Sequence, residues 1–235
     1  MKTLGIVPAR AGSKRLPKKN TLPLCGRPLI EWVLDAALEA RAQGSLDHLV
    51  VSSDDPAVLA LATARDPALP LRRPAELASD TAPALDYVRH ALQRLEAAGA
   101  GPFDAVVILQ PTSPLTLASD VAATLARLEE SGAESAVSVV QLDHAIHPVK
   151  LKTLEGDRLL PWWEEERGRM AAHELPELYV RNCAVYATRR QVIEGGALLG
   201  ADCRAHVMPR ERSIDINDQV DLYLAERLLQ ARLDA

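Results

Sequence analysis

Short, almost unbroken apolar runs alternate along this chain with longer segments whose apolar residues recur at helical spacing. Residues 3–7, 48–53, 105–109 and 136–140 are such runs. Their length and β-branched content, with turn formers close behind, fit strands covered on both faces. Between the first two lie Ile30, Val33, Leu34, Ala37 and Leu38, behind a Pro28 that suits the first residue of a helix. An alanine-rich helix follows the turn Asp54-Asp55-Pro56 and reaches about Arg65. Leu85, Val88, Leu92 and Leu95 form another helical stripe, with Asp80 or Thr81 as its cap. A further helix spans 118–131. The order β-α-β-α-β-α-β predicts an α/β fold, a parallel sheet with helices on both faces.

The rhythm breaks at residues 141–180, a polar stretch with Trp162, Trp163 and three prolines. It reads as an insertion, a lid or a dimer arm. Strands are expected again at 183–187, 205–208 and 213–216. A last amphipathic helix starts at Asp218 and carries Val220, Leu224, Ala225, Leu228 and Leu229. There is no internal repeat or linker, so the 235 residues read as a single domain, 1–235, with 141–180 inserted in it.

Composition narrows the function. A net charge of -5 argues against a general nucleic-acid binder. Three scattered cysteines (Cys25, Cys183, Cys203) without a CxxC pair fit a reducing compartment and read as small apolar groups. The N-terminal apolar stretch is too short for a signal peptide and no run approaches a membrane span, so a cytoplasmic protein is expected. His144 and His147 lack a third ligand at metal spacing, and no Ser-His-Asp set is legible. The tryptophans read as packing or interface residues.

Against that acidic background, loop 8–20 holds five cationic residues directly behind the first strand. Open α/β sheets bind ligands at that edge. Gly12 allows close backbone approach, and the Arg and Lys side chains would neutralise phosphate. The loop is neither a P-loop, since no Ser or Thr follows Lys14, nor a GxGxxG fingerprint. Asp215, expected at the end of a late strand, suits a divalent cation. Asn217 is expected to cap the last helix. The loop Gln110-Pro111-Thr112-Ser113-Pro114 offers an amide and two hydroxyls to a small polar ligand.

These segments together resemble the acylneuraminate cytidylyltransferase (CMP-sialic acid synthetase) family, which includes CMP-legionaminate and CMP-pseudaminate synthetases. The resemblance lies in Ile6-Val7-Pro8-Ala9-Arg10-Ala11-Gly12-Ser13-Lys14 with Lys19-Asn20, in 52–55, in Arg73-Pro74-Ala75-Glu76-Leu77-Ala78-Ser79-Asp80-Thr81, in 109–115, in 182–186 and in Ser213-Ile214-Asp215-Ile216. It implies a three-layer, doubly wound, mainly parallel sheet of the nucleotide-diphospho-sugar transferase type with an inserted dimerisation arm at 141–180. It implies transfer of CMP from CTP to the anomeric hydroxyl of a 2-keto-3-deoxy nonulosonic acid, with release of pyrophosphate and Mg²⁺ as cofactor. The partners implied are CTP, a sugar acid and a second copy in a homodimer, with neither nucleic acid nor membrane.

Carried over by motif, Arg10, Gly12, Ser13, Lys14, Lys19, Asn20, Arg73 and Asp80 would hold the nucleotide. Gln110, Thr112, Ser113, Lys150 and Asn182 would hold the sugar acid. Arg10, Lys19 and Asp215 would serve catalysis, with Asp215 on the metal. The chain departs from the pattern at Ala82, Pro83 and Ala84, where small hydroxyl residues are usual. It departs again at Asn217, at Cys183 after Asn182, and at Ala172 and His173, where an arginine and a glutamine are usual. Arg167, Arg169 or Arg181 would then replace that arginine. Competing readings are activation of an eight-carbon acid or a sugar 1-phosphate, and a catalytically silent nucleotide-binding homologue.

Overall fold

The computed structural model describes residues 1–162 and 175–234. Trp163, Arg167, Arg169, Ala172 and His173 lie outside the described residues. Strand β1 (Thr3–Pro8) leads through a long loop to a two-stranded ribbon, β2 (Pro23–Leu24) and β3 (Arg27–Pro28). Helix α1 (Leu29–Ala42), β4 (His48–Ser53), α2 (Pro56–Arg65) and β5 (Pro70–Arg72) follow, then α3 (Ala84–Ala97), β6 (Ala105–Leu109), α4 (Ala118–Ser131) and β7 (Ser135–Gln141). Next come the hairpin β8 (Lys152–Glu155) and β9 (Arg158–Pro161), the long β10 (Tyr179–Arg189), α5 (Arg190–Glu194), β11 (Cys203–Val207) and α6 (Gln219–Leu233).

Seven strands form one sheet in the order β11-β7-β10-β6-β1-β4-β5. All neighbours are parallel except β10, which runs antiparallel to both β6 and β7. The sheet is thus mainly parallel, as expected, with β10 its one antiparallel strand among the described residues. Successive side chains of a strand point to opposite faces, and both faces are buried here. Val7, Leu49, Val51, Val107 and Leu109 pack under α1, α2 and α4. Their neighbours Leu4, Ile6, Val50, Val106 and Ile108 pack against Val88, Ala91 and Leu92 of α3. This produces three layers.

Helix ends follow local chemistry. Asp55 caps α2 by accepting from the Ala57 amide at 2.9 Å, with Pro56 just inside. Gly132 ends α4 at φ 69°, a conformation that suits glycine. Three expectations are corrected. Asp80 and Thr81 do not cap α3, which starts behind Pro83, because Asp80 is drawn to the cations of loop 8–20. Residues 213–216 form no strand; the Ser213 hydroxyl, bonded to the Pro209 carbonyl, and the Ile216 amide, bonded to the Thr112 carbonyl, anchor the segment instead. The cap of α6 is Asp218, not Asn217: its carboxylate accepts from the Val220 and Asp221 amides. The described residues of the inserted stretch include the β8–β9 hairpin, and both ends merge into β7 and β10.

Candidate active site

The carboxyl ends of β1, β4 and β6 lie side by side, and the loops leaving them enclose a cleft of about 560 Å³. Loop 8–20 forms its floor. It is pinned to the sheet where the Ala9 amide donates to the Ser52 carbonyl (3.0 Å) and the Ala11 amide to Asp54 Oδ1 (2.9 Å). Asn20 is buried, and its Nδ2 donates to the Arg10 carbonyl at 3.1 Å, bracing the loop across its own bend. Lys18 turns the chain at φ 55°. Arg10, Gly12, Ser13, Lys14, Lys19, Asn20, Arg73, Asp80, Gln110 and Thr112 all line the cleft. A Cβ on Gly12 would meet only Arg10 Nη1 at 4.0 Å, so the space beside it opens to the cleft.

Charge is arranged for an anion. Arg10 Nη1 and Lys14 Nζ each lie 2.6 Å from a different oxygen of Asp80, a partly exposed carboxylate bridging the two cations. Those two hydrogen bonds, Lys14 first, hold the Asp80 carboxyl below the usual range. Lys19 sits deeper, its Nζ donating to the Ile216 carbonyl at 2.7 Å. Burial lowers its pKa, the pull of Asp215 opposes this, and Arg15 adds to the lowering.

Asp215 comes to the same place by a different route. The Ile216 amide donates to the Thr112 carbonyl (2.8 Å), tying the segment to the loop after β6. Asn217, which lines the cleft, donates Nδ2 to Asp215 Oδ2 at 2.9 Å. Cys183, at φ 61° in an irregular stretch of β10, places its thiol between Tyr186 and Asp215, and burial pushes that thiol's pKa up. Among the described residues no cluster of three or more His, Cys, Asp or Glu could hold a metal by itself. Mg²⁺ commonly takes one or two protein carboxylates and completes its shell with substrate phosphates and water. A lone Asp215, bonded to Asn217 of the cationic cleft, fits that donor set.

Three residues expected at the sugar acid do not line this cleft. Ser113 is fully buried, with an Oγ that has no partner. Asn182 lies beneath the cleft: its Oδ1 accepts from Ser138, and its Nδ2 donates to Ser213 Oγ at 2.9 Å. Lys150 stands on the inserted stretch, 3.0 Å from His144 Nδ1. His144, Asp143 and Arg210 line a second hollow of about 640 Å³, where β7 and β11 end. Tyr87 is the cleft residue that sequence reasoning missed, because its place on α3 reads as ordinary core.

A cytidylyltransferase family model matches residues 4–198. This chain belongs to the cytidylyltransferase family. It is 30% identical to the CMP-N,N'-diacetyllegionaminic acid synthase of Legionella pneumophila, over 100% of this chain and 99% of that protein. It is 26% identical to a pseudaminic acid cytidylyltransferase of Campylobacter jejuni, over 97% and 96% of the two chains. A solved CMP:2-keto-3-deoxy-manno-octonic acid synthetase complexed with CTP superposes with a TM-score of 0.72, covering 99% of this chain and 100% of that one at 19% identity. At that identity the likeness shows the fold alone, and the fold of this cytidylyltransferase is that of a nucleotidyltransferase. No helix among the described residues is long and apolar enough to cross a membrane.

Proposed function

We propose that the chain transfers CMP from CTP to the anomeric hydroxyl of a nonulosonic, sialic-type acid and releases pyrophosphate. The cleft carries this reading: a loop with five cations, folded so that Arg10, Lys14 and Lys19 converge, lines a space of nucleotide size, and Asp215 lies near Lys19, bonded to the lining residue Asn217. The relatives named for legionaminic and pseudaminic acids support the nonulosonic class over an eight-carbon acid.

In this reading Arg10, Ser13 and Lys14 take the triphosphate once it displaces Asp80, and Arg73 faces the base. Gln110 and Thr112 meet the sugar acid. The anomeric oxygen attacks the α-phosphorus as the bond to the β-phosphate breaks, and Lys19 neutralises charge growing on the departing pyrophosphate. Mg²⁺ held by Asp215 would draw further charge off the phosphates. Asn182 acts from below, through Ser213, on the segment that presents Asp215. Residues 141–180 reach toward a second copy in a homodimer, a role supported by the exposed Leu154, Leu159 and Trp162. The enzyme would work in the cytoplasm, where CTP is found.

Pyrophosphate release across a panel of nucleoside triphosphates and acceptors tests the reading. The expected result is turnover with CTP and a nonulosonic acid. Turnover with a sugar 1-phosphate and no keto acid would overturn it, as would CTP binding with no turnover on any acid.

A further inference from the structure

We propose that Tyr87 is a positioning residue for base discrimination, acting through Arg73; this rests on reading the cleft as a CTP site. Arg73 is only 4% exposed, yet no carboxylate bonds to its guanidinium among the described residues. A buried cation without such a partner needs another source of compensation. Two hydrogen bonds supply part of it, from Nε to Ser52 Oγ (3.0 Å) and from Nη2 to the Ser52 carbonyl (2.8 Å). The Tyr87 ring, whose centroid lies 4.4 Å from the guanidinium carbon, adds to it at close contact, and the Asp54 carboxylate contributes without bonding to the guanidinium.

Tyr87 itself cannot drift. It is 6% exposed and packs from behind into the core beside Leu4, Ile6 and Val50. The guanidinium is therefore clamped between a backbone carbonyl and an aromatic face, both fixed to the sheet. Leu77, Ala82 and Ala84, which line the cleft with it, carry no side-chain hydrogen-bonding group. The aim of Arg73 then decides what this wall recognises. A guanidinium offers donors only. The O2 and N3 positions of cytosine are both acceptors, whereas N3 of uracil carries a hydrogen. A fixed pair of donors thus favours cytosine, and a loose one loses that preference.

The test is calorimetric titration of CTP and UTP, without sugar acid, into wild type, Tyr87→Phe and Tyr87→Leu. The Phe variant should keep the wild-type CTP:UTP ratio, because the ring face remains. The Leu variant should lose about tenfold in CTP affinity and less for UTP, so that the ratio falls. Its KM for CTP should rise with kcat nearly unchanged. If the Leu variant fails to fold, Tyr87→Met fills the space flexibly, and the double variant with Arg73→Lys should then bind CTP no worse than Arg73→Lys alone. A folded Leu or Met variant with the wild-type ratio would overturn the inference and leave Tyr87 as core. A wild type that does not prefer CTP would instead overturn the CTP reading on which it rests.

Discussion

Lys19 reaches across 197 positions of sequence to the Ile216 carbonyl, and that one bond joins loop 8–20 to the segment bearing Asp215. Its ammonium is the innermost cation of the loop, half-withdrawn from water, where charge interactions are stronger than at the surface. Lys19→Met should lower kcat by about a hundredfold or more, read by pyrophosphate release with CD spectra showing a retained fold. Asp80 poses the opposite case. A carboxylate cannot bind a triphosphate, yet it sits on the cations that would. Asp80→Asn should tighten pyrophosphate binding measured calorimetrically at low salt, and weaker binding would make Asp80 an organiser of the loop instead. Loop 8–20 was legible from charge placed behind a strand. Tyr87, the burial of Ser113 and the bracing role of Asn182 were not, because each depends on which residues from distant elements lie beside it.

At the scale of elements, the start of α4 anchors the loop that leads to Asp215. Asp120 is nearly inaccessible and accepts from the Leu117 amide, from His206 Nε2 and from Arg212. Burial alone would raise its pKa, but the hydrogen bonds from His206 and Arg212 outweigh this and hold it at about 2. A depressed carboxylate contributes stability that is full above its unfolded value near 3.8 and is lost as pH falls through about 2. Acid titration of stability should therefore show a decline in that window that is absent in Asp120→Ala. The same variant should cost about 3 kcal/mol at neutral pH, measured by denaturant unfolding, since it strands the Arg212 cation. The strand once expected at 213–216 fails for the same reason. The Ser213 hydroxyl and the Ile216 amide anchor that segment without a ladder, and an apolar-polar alternation cannot reveal whether a neighbouring strand is there to pair.

For the whole molecule, the apolar surface of the inserted stretch is the feature one chain does not explain. Leu154, Leu159 and Trp162 are each at least 60% exposed, on and beside a hairpin that, among the described residues, pairs only with itself. A homodimer would cover them, and light scattering should find twice 25.5 kDa, falling toward the single-chain mass in Leu154→Glu/Leu159→Glu. The sequence by itself determined the βα alternation, the three-layer class, the cationic loop behind the first strand and the family, because periodicity and short motifs are local properties of the chain. The tertiary structure alone decided that β10 runs against its neighbours, that Asp215 arrives on a loop, and that Arg73 lies clamped on Tyr87. Each of these depends on the direction or proximity of segments far apart in sequence, and the closed packing of both sheet faces fixes that proximity. The cationic loop 8–20 therefore comes from one continuous segment, whereas the proposed base wall and the proposed metal side are assembled from several.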